Sequence, residues 1–359
     1  MKRHIEPSKG DGRAPSVTVA VAVLNAAEHI RECLESLLAQ DFPRASYEIL
    51  VIDNDSTDGT QEFVQQVCRE HSNVRMFVNP VRGIAGSRQL ALELAAHPLI
   101  AFTDSDCVAP PHWLSGLVNG FRRCAQVTPL LAAVGGSNVP PKSGRFYKVL
   151  SIFLDSYLGS HGSVQGRQFE SDRIVPHLPT VNVLYDRAAV LAAGGFDVTF
   201  GNIGEDQDLS FRLQQQGRQL VYLAGTAVTH KMRPTFASWL KNMFLYGKGR
   251  MWLMRKHPRQ IKAVLLMPML LVASMLLLPP AALSPLFLSP LCYFLCIFCV
   301  SCAECLRRQA PGQVWRLFAL YVGTHFAYGL GEWYGLLKNR EFYRRNLRLA
   351  AKLPKTPVG

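Results

Sequence analysis

Two apolar runs in this chain each stop on a pair of acids: "YEILVIDND" at residues 47–55 and "PLIAFTDSD" at residues 98–106. An unbroken β-branched run of this length reads as a strand buried on both faces, which places it in a parallel sheet covered by helices. The neighbouring segments agree. "VTVAVAVL" from Val17 is another short strand, and "HIRECLESLLAQ" puts Ile30, Cys33, Leu34, Leu37 and Leu38 on one helical stripe. A helix is expected from about Thr60 to Glu70, a third strand in "VRMFVNP", and a glycine-started helix in "GIAGSRQLALELAA". The alternation predicts an α/β domain over residues 17–255, a mostly parallel sheet with helices on both faces. Ligands of such sheets bind beyond the carboxyl ends of the strands, where both acid pairs fall.

Four groups could carry chemistry: Asp53, Asp55 and Asp58 in "VIDNDSTDGT", Asp104 and Asp106 in "FTDSDC", Glu205, Asp206 and Asp208 in "GEDQDLSFRL", and His230 in "VTHK". Singly, each has an ordinary explanation. Asn, Asp, Ser and Gly are turn formers, and acids at a helix start complement its dipole. Jointly they suggest more. Two carboxylates one residue apart, just past a buried strand, supply hard oxygen ligands for Mg²⁺ or Mn²⁺, and the imidazole of His230 would suit Mn²⁺ better. Glu205 and Asp206, at the start of a helix whose Leu209 and Leu213 share a face, are placed for work as a general base. Residues 140–175, rich in Gly and Ser, read as a mobile or acceptor-side loop.

The formal charge of +13 argues for an anionic partner. Its distribution favours a membrane over nucleic acid: basic residues crowd 241–262 and 338–355, on either side of an apolar region. Within that region, 263–283 and 285–303 contain no charged side chain and are each long enough to span a bilayer. The stretch 314–337, with Arg316, His325 and Glu332, is expected either to cross or to lie as a re-entrant or interfacial helix. The membrane region is thus placed at 256–340, between the catalytic domain and a basic cytoplasmic tail, 341–359. Residues 1–16 are a polar tail without a signal-peptide core, so the catalytic domain is expected on the cytoplasmic face.

The nine cysteines are then not a disulfide framework. Five of them, Cys292 to Cys305, recur as C-x3-C-x2-C-x2-C-x2-C, the spacing of a ferredoxin-like redox carrier. The gaps hold Tyr, Phe, Leu, Ile and Val rather than the Gly and Pro that wrap a chain round a cluster, so a Cys-bearing membrane helix is expected instead.

With these motifs in this order, residues 17 to about 250 resemble the family-2 glycosyltransferases of GT-A fold. "VLNAAEHIRECLESLLAQDFP", "GIAGSRQLAL" and "AAGGFD" resemble that family's opening strand and helix, its arginine-bearing helix, and the turn before its Glu-Asp helix. The resemblance implies an inverting, metal-dependent transfer of a sugar from a UDP- or GDP-linked donor to a lipid-linked or saccharide acceptor, with C-terminal transmembrane helices after the GT-A domain. It assigns Asp53 and Asp55 to the base and ribose, Arg88 and Asp104 to the nucleotide-sugar, Asp106 and His230 to Mn²⁺ or Mg²⁺, Asp206 to the general base and Glu205 to the acceptor. Ala22 stands where many relatives have proline, Gln89 where asparagine is usual, and the Q-x-x-R-W motif of processive synthases is absent, which implies single additions. "FLYGKGRMW" resembles a segment of membrane-attached enzymes that build exopolysaccharide repeat units, with Lys248 and Arg250 as phosphate or lipid contacts. The alternatives are transfer onto a polyprenyl phosphate, or a silent sugar-nucleotide-binding anchor.

Overall fold

The computed structural model describes residues 16–232, 234–260, 263–275 and 290–338. Four strands, β1 (Val17–Val23), β2 (Tyr47–Asp53), β3 (Val74–Val78) and β4 (Leu99–Asp104), lie side by side in the order β3-β2-β1-β4, all parallel. The crossovers between them carry α1 (Ile30–Leu38), α2 (Thr60–Glu70) and α3 (Ile84–Leu94). Side-chain alternation sorts the strands onto two cores. Val17, Val19, Val21 and Val23 of β1 pack with Ile30, Leu34 and Leu37 of α1, whereas Ala20 faces the other way with Ala91 and Leu92 of α3. Fully buried leucines and isoleucines such as these each contribute about 1.5–3 kcal/mol of transfer free energy.

Beyond β4 the sheet is mixed rather than mostly parallel. The chain continues through β5 (Cys107–Val108), α4 (Trp113–Val127), β6 (Leu131–Val139), α5 (Arg145–Asp155), α6 (Tyr157–Ser160), β7 (Arg173–Ile174), β8 (Asn182–Asp186) and α7 (Arg187–Ala192). It then forms α8 (Glu205–Gln215) and β9 (Gln219–His230). Strand β8 runs antiparallel to both β4 and β6, while β6 and β9 are parallel, and β5 and β7 pair antiparallel with β9. The excursion after β6 returns the chain to the sheet at the end where β6 stopped, so β8 runs back along it. That excursion, read from its Gly and Ser content as a mobile or acceptor-side loop, contains the helices α5 and α6. Val149, Leu150, Phe153 and Leu154 give α5 a buried face.

The C-terminal part consists of α9 (Phe236–Lys256), α10 (Met267–Ser274), α11 (Leu291–Arg307) and α12 (Val314–Leu337). Together with α5 they enclose a third core, in which the Phe153 ring lies 5.0 Å from Tyr321 and 5.9 Å from Trp239. Helices α9 and α12 touch backbone to backbone: a Cβ on Gly247 would stand 2.0 Å from the Tyr328 carbonyl oxygen, and one on Gly331 2.0 Å from that of Phe244.

The two membrane spans expected at 263–283 and 285–303 lie partly outside the described residues. No helix among the described residues is long and apolar enough to cross a membrane. Among the described residues α10 has 8 residues, with a proline in its first turn, and α11 has 17, with Pro290 at its N-cap. Residues 276–289 lie outside the described residues, as do the polar tail 1–15 and the basic tail 341–359. The apolar stretch 314–337 is one continuous helix laid along α9. The five cysteines from Cys292 to Cys305 all fall on the helix α11, which cannot wrap them round a cluster.

Candidate active site

Both acid-ended strands finish beside β1. Asp53 is in register with Val23 and Asp104 with Ala22, so the end of β1 separates the two acid groups. Asp53 is fully buried. Its Oδ2 accepts hydrogen bonds from the backbone N–H of Asp55 at 2.9 Å and of Ser56 at 3.0 Å, and from Gln61 Nε2 at 2.7 Å. Its Oδ1 is buried without a partner among the described residues, an acceptor left for a ligand N–H or O–H. Asp55, in the left-handed backbone region at φ 70°, pairs with Arg82. Asp58 is occupied locally: it accepts from Thr60 Oγ1 at 2.6 Å and from the Ala27 N–H at 3.0 Å.

Asp106 and His230 meet because β5 pairs with the end of β9, with Cys107 opposite His230 and the Lys231 N–H bonded to the Asp106 carbonyl at 2.9 Å. The His230 Nε2 lies 3.2 Å from Asp106 Oδ1, and the Cys107 thiol is within 4.8 Å of both. Burial first, then Asp106 and Asp104, push that thiol well above its ordinary value, so it stays protonated and is a poor ligand. The oxygen and imidazole pair is the donor set that suits Mn²⁺. On the far side of the ring, the amide nitrogen of the fully buried Asn138 lies 3.0 Å from Nδ1, and its amide oxygen has no partner among the described residues. With that oxygen turned to accept from Nδ1–H, the Nε2 lone pair is freed toward Asp106, the tautomer a metal ligand requires.

The Glu-Asp pair enters from α8. Gly204, at φ 91°, forms its N-cap in the left-handed region open to glycine, and releases Glu205 and Asp206 at the first helical positions. The preceding loop is fastened to α3: the Ala85 N–H donates to the Gly201 carbonyl at 2.8 Å, and the Ile84 N–H to Asn202 Oδ1 at 2.9 Å. One turn further along α3, the buried Arg88 bonds to Asp104 Oδ1 at 2.9 Å with one terminal nitrogen and to Glu205 with the other. Arg88 is thus saturated by carboxylates. It joins the two acidic motifs, reaching 16 residues along the sequence to Asp104 and 117 to Glu205. Burial pushes the Glu205 carboxyl up to about 7, with Arg88 pulling it down and Asp206 adding to the rise.

Asp206 is the more accessible acid of the pair, 21 % exposed. Its Oδ2 lies 3.6 Å from Nε2 of His177, a residue from the loop before β8 that sequence reasoning did not single out. Ser210 Oγ donates to the Asp206 carbonyl at 2.9 Å and lies 3.1 Å from His177 Nδ1. The serine hydrogen is thereby used, so Nδ1–H donates to Ser210 and the bare Nε2 faces Asp206. Burial holds the His177 imidazole below its ordinary value; Asp206 pulls it up and Arg250 adds to the lowering.

Asp208 does structural work. Its fully buried carboxylate accepts from Arg212 Nε at 2.9 Å, His257 Nε2 at 2.7 Å and Lys256 Nζ at 2.6 Å, tying α8 to the end of α9. Lys248 and Arg250 do not converge. Two residues apart on a helix, they leave in different directions: Lys248 Nζ sits over the rings of Trp252 and Tyr334, 4.9 and 5.3 Å from their centroids, whereas Arg250 Nε donates to Tyr328 Oη at 2.9 Å.

Comparison with known proteins follows this layout. Residues 18–194 match the family model described as Glycosyl transferase family 2. The chain is 27 % identical over 274 residues to Glycosyltransferase AglE of Haloferax volcanii, covering 75 % of this chain and 84 % of that protein. It is 26 % identical over 228 residues to the glucosyl-dolichyl phosphate glucuronosyltransferase of the same organism, covering 60 % of this chain and 69 % of that one. In fold it is similar to the mannosyltransferase PcManGT from Pyrobaculum calidifontis, solved in complex with GDP-Man and Mn²⁺, with a TM-score of 0.57 and 20 % identity over 91 % of this chain and 88 % of that one.

Proposed function

From a chain that belongs to glycosyltransferase family 2 through residues 18–194, we propose an inverting transfer of a sugar from a UDP- or GDP-linked donor to a hydroxyl of a lipid-linked acceptor at a membrane surface. The observation that carries this reading is the double grip of Arg88 on Asp104 and Glu205, because it brings the metal-type acids and the base-type acids to one rim of the sheet. Donor activation and acceptor deprotonation need that proximity.

In this reading Asp53 and Asp55 hold the base and ribose, with the unpartnered Asp53 Oδ1 as the acceptor for a base N–H. Asp104 and Arg88 shape the nucleotide-sugar side. Asp106 and His230 would hold a divalent ion, Mn²⁺ or Mg²⁺, which when bound supplies Lewis-acid stabilisation of the departing diphosphate. Asp206 removes the acceptor hydroxyl proton as that oxygen bonds to the anomeric carbon and the bond to the diphosphate breaks. The bare Nε2 of His177 then steadies the proton on Asp206 from behind. Glu205 supports the acceptor side through Arg88. With one base and, among the described residues, no second carboxylate placed as a sugar nucleophile, a single displacement inverts the anomeric centre.

Membrane seating is supported by large apolar side chains left exposed on the C-terminal helices, among them Met267, Leu295, Trp315 and Leu337, beside the basic residues of 241–262. The relative that acts on glucosyl-dolichyl phosphate supports a lipid-linked acceptor. On this reading the catalytic domain works at the cytoplasmic face.

The test is release of nucleoside diphosphate from a panel of sugar nucleotides by membranes containing the protein, with Mn²⁺ or with EDTA. Metal-dependent release from one donor, lost in Asp206→Asn, is the expected result. Release that persists in Asp206→Asn would remove the base assignment, and no release from any donor in the presence of native lipid extract would favour the silent anchor.

A further inference from the structure

Resting on the reading above for its effect on turnover, we propose that Tyr185 is a positioning residue for Glu205: its buried hydroxyl and the free Oε2 of that carboxylate hold one water molecule between them, and this bridge keeps Glu205 on Arg88.

Alternation along β8 turns Val183 and Tyr185 to one face of the sheet and Leu184 to the other. Tyr185 stands opposite Ile100 of β4 and Ala133 of β6, and its ring meets that of Phe102 edge to face at 6.2 Å. Phe102 lies two residues before Asp104, so Tyr185, Phe102 and Asp104 share the face that α3 covers. The same core holds Leu209 and Leu213 of α8. Leu209 follows Glu205 by one helical turn, which puts Glu205 on the side of α8 that meets this core.

Packing alone would be served as well by phenylalanine. The Tyr185 hydroxyl is fully buried and has no hydrogen-bond partner among the described residues, and neither has Oε2 of the buried Glu205. Orphan groups of this kind are what internal waters satisfy. The charged groups that act on the hydroxyl are Asp206, Arg88, Glu205 and Arg212, and those that act on Glu205 are Arg88, Asp206 and Asp104. The arginines cannot accept a hydrogen. Asp104 Oδ1 and Glu205 Oε1 are taken by Arg88, Asp206 Oδ1 by the Gln207 N–H at 2.7 Å, and Asp206 Oδ2 faces His177. Glu205 Oε2 is the acceptor that remains for the tyrosine hydrogen. The two do not bond directly, and one water spans such a gap.

A water held there takes the phenolic hydrogen and donates one of its own to Oε2. A hydrogen bond to the ionised form favours that form, so the bridge opposes the burial that pushes Glu205 up. The Arg88 link needs the ionised carboxylate, and the approach of the two acidic motifs depends on that link. Tyr185 reaches no substrate; it acts through Glu205.

The experiment is a pH titration of the full-length chain by infrared difference spectroscopy, following the C=O band of the protonated carboxyl that disappears in Glu205→Gln. The expected result is a midpoint about one pH unit higher in Tyr185→Phe than in wild type. The acid limb of nucleoside diphosphate release should move up by the same amount, with the rate above that limb unchanged. In the wild type the C–O band of ring-labelled tyrosine should shift with the Glu205 midpoint, and this signal should be absent from Glu205→Gln. An unchanged midpoint in a folded Tyr185→Phe, or no tyrosine band that follows Glu205, would overturn the proposal. A purely structural tyrosine would lower the rate equally at every pH and leave the midpoint in place. The tyrosine band is read in the wild type, so it decides even where thermal unfolding shows that Tyr185→Phe does not fold. Neither infrared readout needs turnover, so a chain that releases no nucleoside diphosphate fails the transferase reading without deciding this one.

Discussion

Asp208, fully buried on α8, accepts a hydrogen bond from His257 Nε2 at 2.7 Å, and through it the helix that carries Glu205 and Asp206 is bonded to the last turn of α9. Lys256 and Arg212 share the same carboxylate. Replacing Asp208 by Ala takes the carboxylate from His257 and Arg212 and leaves Lys256 with Asp197, and we expect a loss of about 3–5 kcal/mol in stability. Glu35→Ala, which removes an exposed pair with Arg31, should cost under about 1 kcal/mol. Chemical denaturation of the three chains checks both. Comparable losses in the two variants would mean that the buried cluster is not what fastens α8 to α9.

Glu205 sets a pH dependence with opposite signs for activity and for stability. Its carboxyl, raised to about 7 in the fold, is held there mainly by burial. A raised carboxyl contributes stability in its protonated form, fully present below its ordinary value and lost as pH rises through about 7. The bond to Arg88 behaves in the reverse way, since it needs the ionised form. Nucleoside diphosphate release should therefore show an acid limb near pH 7 that moves to lower pH in Glu205→Gln, while the stability of the wild type relative to that variant rises as pH falls from 7 toward 4.5. An acid limb unchanged in the variant would assign it to another group.

His177 presents its unprotonated nitrogen to Asp206. Replacing it by Gln keeps a polar side chain and removes the proton acceptor, so kcat should fall by about 10²-fold with the KM for the donor nearly unchanged. A rise in KM with kcat intact would make His177 a binding residue instead.

Asn138 orients His230. In Asn138→Ala the affinity for Mn²⁺, measured by calorimetry on the chain without donor, should drop about 10- to 100-fold. Asn138→Asp, which retains an acceptor for Nδ1–H, should recover most of it. If Asn138→Asp binds as weakly as Asn138→Ala, the tautomer argument fails.

The parallel half of the sheet and its acids are written in the sequence because a strand buried on both faces must be apolar throughout and can turn polar only where it leaves the sheet, as at Asp53 and Asp104. Other features follow from contacts that no linear pattern carries. His177 is 29 positions from Asp206 in a loop without periodicity, and the return of β8 alone brings it close. Lys248 and Arg250 read together as a basic pair, although the 200° between them on a helix already separates them. The apolar stretches after residue 263 look the same whether they face lipid or protein; in the described residues α12 spends one side on α9, at Gly331 and Gly335, and meets α10 at Gly329. Helix α5 was hidden because its apolar positions fall between Gly- and Ser-rich flanks.

The contact between Gly247 and the Tyr328 carbonyl, repeated between Gly331 and that of Phe244, leaves no room for even one carbon between α9 and α12. Such surfaces resist rolling or sliding past one another, so the two helices turn as one piece. The far end of that piece is bolted to Asp208, and its middle carries Arg250. A tilt of α9 and α12 is thus passed to the rim that carries Asp206, and under the function proposed above the lean of these helices would set the angle at which an acceptor meets that carboxylate.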